Sequence, residues 1–227
     1  MDGHGAGCDD AAVAEATEVR APITETRRKH LVLLARVLSA FTVVSIVVGL
    51  WLSTKDQIPT DFGLLLAFGL FPVVGYFMAT RRPDNALSWL MVGLGVAIGI
   101  GALLSSYAGY ALNGGIGGPH MGLIAEAFDN PMWIPIVVPP VTFMLLLFPD
   151  GHLPSPRWKW FARILGASMV IMYLTVVLAP GRFGEETGPF ADYQNPLGVE
   201  ALRPVLSIAI VPYRSARLIT TSMSKRW

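Results

Sequence analysis

An all-α fold is predicted, a polytopic transmembrane helical bundle with five full spans and a truncated sixth. Three observations predict it. Of 227 residues, 53% are hydrophobic and 15% charged, against roughly 25% charged in a soluble domain. Mean hydropathy is +0.53. The apolar mass falls into runs of about 20 residues, the length that crosses a hydrocarbon core of ~30 Å. The formal charge is +1, so there is no broad basic face for nucleic acid. These figures exclude a soluble enzyme and a disordered chain.

Residues 1–30 are read as an acidic cytoplasmic tail. They hold Asp2, Asp9, Asp10, Glu15, Glu18 and Glu25, with disorder expected over 1–26. The leading segment is acidic and the first apolar run is too long for a signal-peptide core. Cys8 is the only cysteine, which excludes an intramolecular disulfide and a cysteine-based metal cluster.

Residues 31–179 are read as the five-span bundle. The first span is Leu31–Ser53, with Arg36 near enough to its end to reach the headgroups. The second is Phe62–Thr80, with Pro72 as a bend point. The third is Ser88–Tyr110. There Gly93, Ala97, Gly101, Ser105 and Gly109 recur every four residues, and Gly95 and Gly99 form a second small-residue stripe. Such stripes let two backbones approach closely. Packing within the chain is the first reading of them and a homodimer contact the second. The fourth span is Pro131–Phe148. Pro135, Pro139 and Pro140 remove N–H donors from its first half, which is expected to be bent or to dip into the interface. Trp133 is read as an interfacial anchor there. The fifth is Trp160–Ala179, with Arg163 near its start.

Residues 180–203 form an extracytoplasmic loop. Residues 204–227 comprise a sixth segment, Pro204–Val211, too short to cross, and a basic tail. Cations flank the first span at Arg27, Arg28 and Lys29. They recur in the second loop at Arg81 and Arg82 and in the fourth at Arg157 and Lys159. Cationic loops stay in the cytoplasm, so the N-terminus is placed inside a plasma-membrane protein. The tail cations Arg214, Arg217, Lys225 and Arg226 contradict the five-span count. A chain truncated or frame-disrupted near residue 211 is the expectation, and an in-plane C-terminal segment the alternative.

Two cytoplasmic loops carry turn chemistry. In Arg81–Trp89, Pro83, Asp84 and Asn85 favour a tight turn, and Ser88 is a candidate cap for the third span. In Leu147–Trp160, Phe148 precedes Pro149-Asp150-Gly151, a strong turn signal. Pro154 and Pro156 stiffen the stretch after the turn. Arg157, Trp158, Lys159 and Trp160 then make a basic-aromatic anchor. Helical hairpins with interfacial anchoring explain both loops, and a signalling contact is the competing reading.

RRPDNALSWLMVGLG and LFPDGHLPSPRWKW, in that order, resemble motifs in the N-terminal multi-span sensor region of actinobacterial two-component sensor histidine kinases. The second motif is the more specific. The resemblance covers residues 30–211. It implies a six-span input region followed by a dimerisation helix pair and an ATP-binding kinase domain as output partner. Ser88 stands where glycine is usual in that pattern and His152 where arginine is usual. No phospho-acceptor histidine helix or ATP-binding motif comes after the spans, so the chain as given is not expected to be an enzyme. Its function is expected to be signal input, with a small transporter or channel as the alternative.

No cofactor is expected, and neither a catalytic nor a metal constellation is found. Asp150 and His152 are too few for a zinc site. His120, Glu126 and Asp129, assigned to an outer loop over 111–130, offer a cation at most an irregular set, and solvated loop polarity is their default. The loop at 180–203 is the best external sensing candidate.

Overall fold

The computed structural model describes residues 24–55, 69–147, 157–183, 189–202 and 204. The described residues form helices joined by turns, with one isolated antiparallel bridge, Arg182 to Gln194. Helix α1 is Glu25–Ser53, α2 Leu70–Arg81, α3 Ala86–Leu112, α4 Gly118–Asp129, α5 Trp133–Leu147 and α6 Trp158–Val177. A 3-10 turn, Asn130–Met132, joins α4 to α5, and another covers Glu200–Leu202.

Four stretches are long and apolar enough to cross a bilayer: Glu25–Ser53, Ala86–Leu112, Gly118–Leu147 and Trp158–Val177. They mark a membrane-embedded protein. The count of five spans plus a sixth is therefore met only in part. Of the expected second span, the twelve residues of α2 are helical, while 62–68 lie outside the described residues. So does the sixth segment after Pro204.

Two assignments change. The polar loop expected over residues 111–130 is mostly helix: most of these residues extend α3 or form α4. Only Asn113–Gly117 turns, with Gly117 at φ 93° and Gly114 at φ 88° supplying the left-handed corners. The Tyr107 hydroxyl ties the turn down by donating to the Ile116 carbonyl at 3.1 Å. The second change concerns the prolines. α5 stays helical through Pro139 and Pro140, and the break falls earlier, at the 3-10 turn. Pro135 lies in the first turn of α5, where its missing N–H costs little. Further along, hydrocarbon offers no water to take up a freed backbone group, so the helix is the least costly path.

The packing is built around α3, which contacts α1, α2, α4 and α5. α1 runs parallel to it: Ala35 clusters with Val92, Thr42 meets Gly99, and Gly49 meets Ala102. α2 and α4–α5 run antiparallel. Pro72 packs on Gly95, Gly75 on Met91, Gly122 on Ala108, and Met132 on Gly101.

α1 shows the logic of the fold. Its buried residues Ala35, Thr42, Ser45, Gly49 and Leu52 form a seam facing α3. On its other side Leu33, Val37, Phe41, Val44, Val48 and Trp51 are exposed. They recur every three or four residues, a stripe about 27 Å long at the helical rise. A soluble monomer rarely exposes so large a continuous apolar patch. A stripe of this length matches hydrocarbon thickness.

Candidate functional site: a carboxylate in the helix seam

α4 and α5 lie along α3 through Gly122, Ala125, Met132 and Ile136, all buried. These positions are spaced three, seven and four apart. The missing member of the heptad series, between Ala125 and Met132, is Asp129. The helix period therefore places a carboxylate on the packed face. Asp129 is partly buried, and its Oδ1 lies 3.8 Å from where a Cβ on Gly101 would stand. A glycine at 101 leaves the space that the carboxylate and Met132 use. The Ser105 hydroxyl, one turn along α3, lies against the carboxyl.

The third component comes from α6. The Tyr173 hydroxyl donates to the Phe128 carbonyl at 2.8 Å, at the point where Pro131 interrupts the helical ladder. Tyr173 is also within electrostatic reach of Asp129. Asp129, Ser105 and Tyr173 thus gather hydroxyls and a carboxylate where α3, α4 and α6 meet. Hydroxyl neighbours can donate to or accept from the carboxyl group as its protonation changes, so the joint can hold a proton or a small cationic group.

At this same end the chain after α6 folds back. Asn195 Nδ2 donates to the Val177 and Ala179 carbonyls at 2.8 and 2.9 Å, closing the C-terminus of α6. Phe183 and Phe190 stack edge to face, 6.4 Å between centroids, over Ala108, Ala125 and Ala127. The described part of the 180–203 loop is therefore a packed cap.

The sequence-derived site residues divide. His120 is exposed, nine residues from Asp129 and on the opposite side of α4, so the suggested His120–Glu126–Asp129 set does not converge. Among the described residues no group of three potential metal ligands occurs. Of the small-residue positions, Gly95 and Gly99 are contact points for α2 and α1, and Gly101 for the junction of α4 and α5 at Met132. Gly93 faces open space, Ala97 packs partly against the Met132–Ile136 cluster, and Ser105 belongs to the carboxylate joint.

The first cytoplasmic-loop motif is a self-bonded hairpin. Asn85, not Ser88, is the cap of α3, its Oδ1 accepting from the Leu87 N–H at 2.9 Å. Ser88 lies within the first turn, fully buried, its hydroxyl 3.5 Å from the Arg82 carbonyl. Trp89 Nε1 donates to the Pro83 carbonyl at 2.8 Å. Pro83 is buried, while Arg81, Arg82 and Asp84 are exposed. In the second motif Phe148, Pro149, Asp150, Gly151, His152 and Pro154 lie outside the described residues. Arg157 opens α6, Trp158 packs edge to face on Phe161 at 5.4 Å, and Arg163 lies 5.2 Å from the Trp160 ring centre.

Asp129 is the residue hardest to see in the sequence. Its polar neighbours His120 and Glu126 disguise the stretch as a loop. The Gly122–Ala125–Met132 spacing is the signal that could have found it. No family model, curated protein or solved structure matches the chain.

Proposed function

We propose that the chain is a membrane-embedded input module resembling that of a two-component sensor histidine kinase, in which α6 moves relative to a fixed bundle. In this reading the basic end of the bundle, with Arg81, Arg82 and Arg157, faces the cytoplasm, as the distribution of cations favours. One observation carries the reading. α6 is anchored at its far end through Tyr173 and Asn195, and Val177 is its only buried residue among those described. Toward the basic end, Trp160, Phe161 and Ile164 are exposed. A helix held at one end and largely exposed at the other can act as a lever, the kind of element that shifts against a packed neighbour in switching proteins.

Distance measurements between spin labels in lipid nanodiscs test this. In a Cys8→Ser background, labels at Val37→Cys on α1 and Ile164→Cys on α6 are expected to give a broad or two-peaked distribution. The pair Val44→Cys and Val74→Cys, on α1 and α2, is expected to give a narrow one. Equal narrow widths would remove the lever.

A transporter is the second reading, favoured by Asp129 in the seam, since carboxylates at membrane depth commonly mark ion pathways. Proteoliposome flux lost in Asp129→Asn would establish it in place of the first.

A further inference from the structure

We propose that the cleft between α5 and α6 is a binding site for one anionic phospholipid, one of its two acyl chains in the cleft and its headgroup on Arg157. This rests on the membrane embedding of the bundle and not on movement of α6. The cleft is lined by Val141, Thr142, Leu145 and Leu146 from α5 and by Phe161 and Leu165 from α6. Its volume is about 430 Å³, roughly that of a single turn of a helix 10 Å across. That is room for a flexible hydrocarbon chain and too little for a spanning helix. The lining offers such a chain no polar competitor. The hydroxyl of Thr142 is turned onto the Val138 carbonyl at 2.7 Å.

The charge lies at one mouth. Phe161 and Leu165 are four residues apart and share a face of α6. Arg157 and Trp158, four and three residues before Phe161, fall on that same face, and Trp158 packs edge to face on Phe161. Arg157 is exposed and makes no ion pair among the described residues. α6 contains no Asp or Glu. Lys159 and Arg163, each two residues from Phe161, lie on the opposite side of the helix. The guanidinium of Arg157 is thus the cation in register with the hydrocarbon cleft, and its planar donors suit a phosphate. Trp158 beside it carries the indole ring that favours the lipid interface.

The full chain, purified in detergent and offered equimolar phosphatidylglycerol and phosphatidylcholine with identical acyl chains, tests this by native mass spectrometry. One retained phosphatidylglycerol per chain is expected, in several-fold excess over phosphatidylcholine. Arg157→Gln should bring the two lipids to parity. Lys159→Gln should leave the preference unchanged. Leu145→Trp should reduce retention of both lipids several-fold, and since Leu145 is 78% exposed the larger ring does not disturb the core. Circular dichroism and monodispersity check that each variant is folded. Equal loss of preference in Arg157→Gln and Lys159→Gln would reduce the effect to general surface charge and overturn the site. Undiminished retention in Leu145→Trp would overturn the cleft. In a Cys8→Ser background, a disulfide between Leu145→Cys and Ile208→Cys would give the cleft to the chain's own C-terminal segment. A covalent dimer through Leu145→Cys alone would give it to a second copy. Either result overturns the proposal.

Discussion

A Cβ added at Gly49 would stand 2.7 Å from the Ala102 carbonyl oxygen, a backbone atom that cannot move aside cheaply. Gly49→Ala is expected to cost about 1–3 kcal/mol, the range for overpacking a close contact. Gly93 sits on the same helix-rich scaffold with nothing within 4 Å of its would-be Cβ. Gly93→Ala is expected to be neutral or stabilising by up to ~1 kcal/mol, the helix-propensity gain. Thermal unfolding of the two variants in one detergent checks the contrast. Tyr173 makes a single hydrogen bond from α6 to the end of α4. Tyr173→Phe is therefore expected to cost about 1 kcal/mol and to broaden further the α1–α6 distance distribution. Asp129→Asn keeps the shape of the side chain and its access to the Ser105 hydroxyl, so the bundle should fold. Asp129→Leu takes the carboxylate out of the joint, leaving the Ser105 and Tyr173 hydroxyls without it, and should change the α6 distribution instead. Legibility at this scale is uneven. Gly95 and Gly99 can be read as contact points because small residues four apart line one face of a helix. Nothing in a one-dimensional stripe says that Gly93, in an equivalent series, meets no neighbour.

At the scale of the element, α3 is the helix on which α1, α2, α4 and α5 pack, and α6 is tied to the end of α4 through Tyr173. The hairpin from α2 into α3 is fastened by Asn85, Ser88 and Trp89, each bonded within the turn. Asn85→Ala is expected to cost about 1 kcal/mol, the usual loss for a helix cap, with raised hydrogen exchange confined to the start of α3. Arg81→Gln should leave stability unchanged, because that side chain is exposed. The long spans are visible in the sequence as runs of about 20 apolar residues, since length against membrane thickness decides the matter. α4 is not. Twelve residues with His120, Glu126 and a glycine-rich lead-in look like a connection, and only contact with α3 makes the helix worthwhile. The prolines of α5 mislead for a related reason. They weaken an isolated helix, but in hydrocarbon the alternative is a bare backbone, so the helix persists.

For the whole molecule, the fold depends on a sidedness. Small and weakly polar residues, Ala35, Thr42, Ser45 and Gly49 among them, are turned inward, and large apolar residues are turned outward. Water would drive the reverse arrangement, because burying large apolar side chains is the main gain in a soluble fold. In a bilayer the lipid already solvates those side chains, and close backbone approach decides the packing. The four membrane-length stretches and the α1 stripe belong to the same arrangement. So does the cleft between α5 and α6, whose lining is almost wholly apolar. A scan of spin labels along α1 in nanodiscs, at Val37→Cys, Phe41→Cys, Val44→Cys and Val48→Cys, tests that sidedness most directly. Apolar oxygen should reach every one of these labels, and a water-soluble nickel collider should reach none of the central ones. Ready access of the nickel reagent at Phe41→Cys and Val44→Cys would put this face in water and contradict the account.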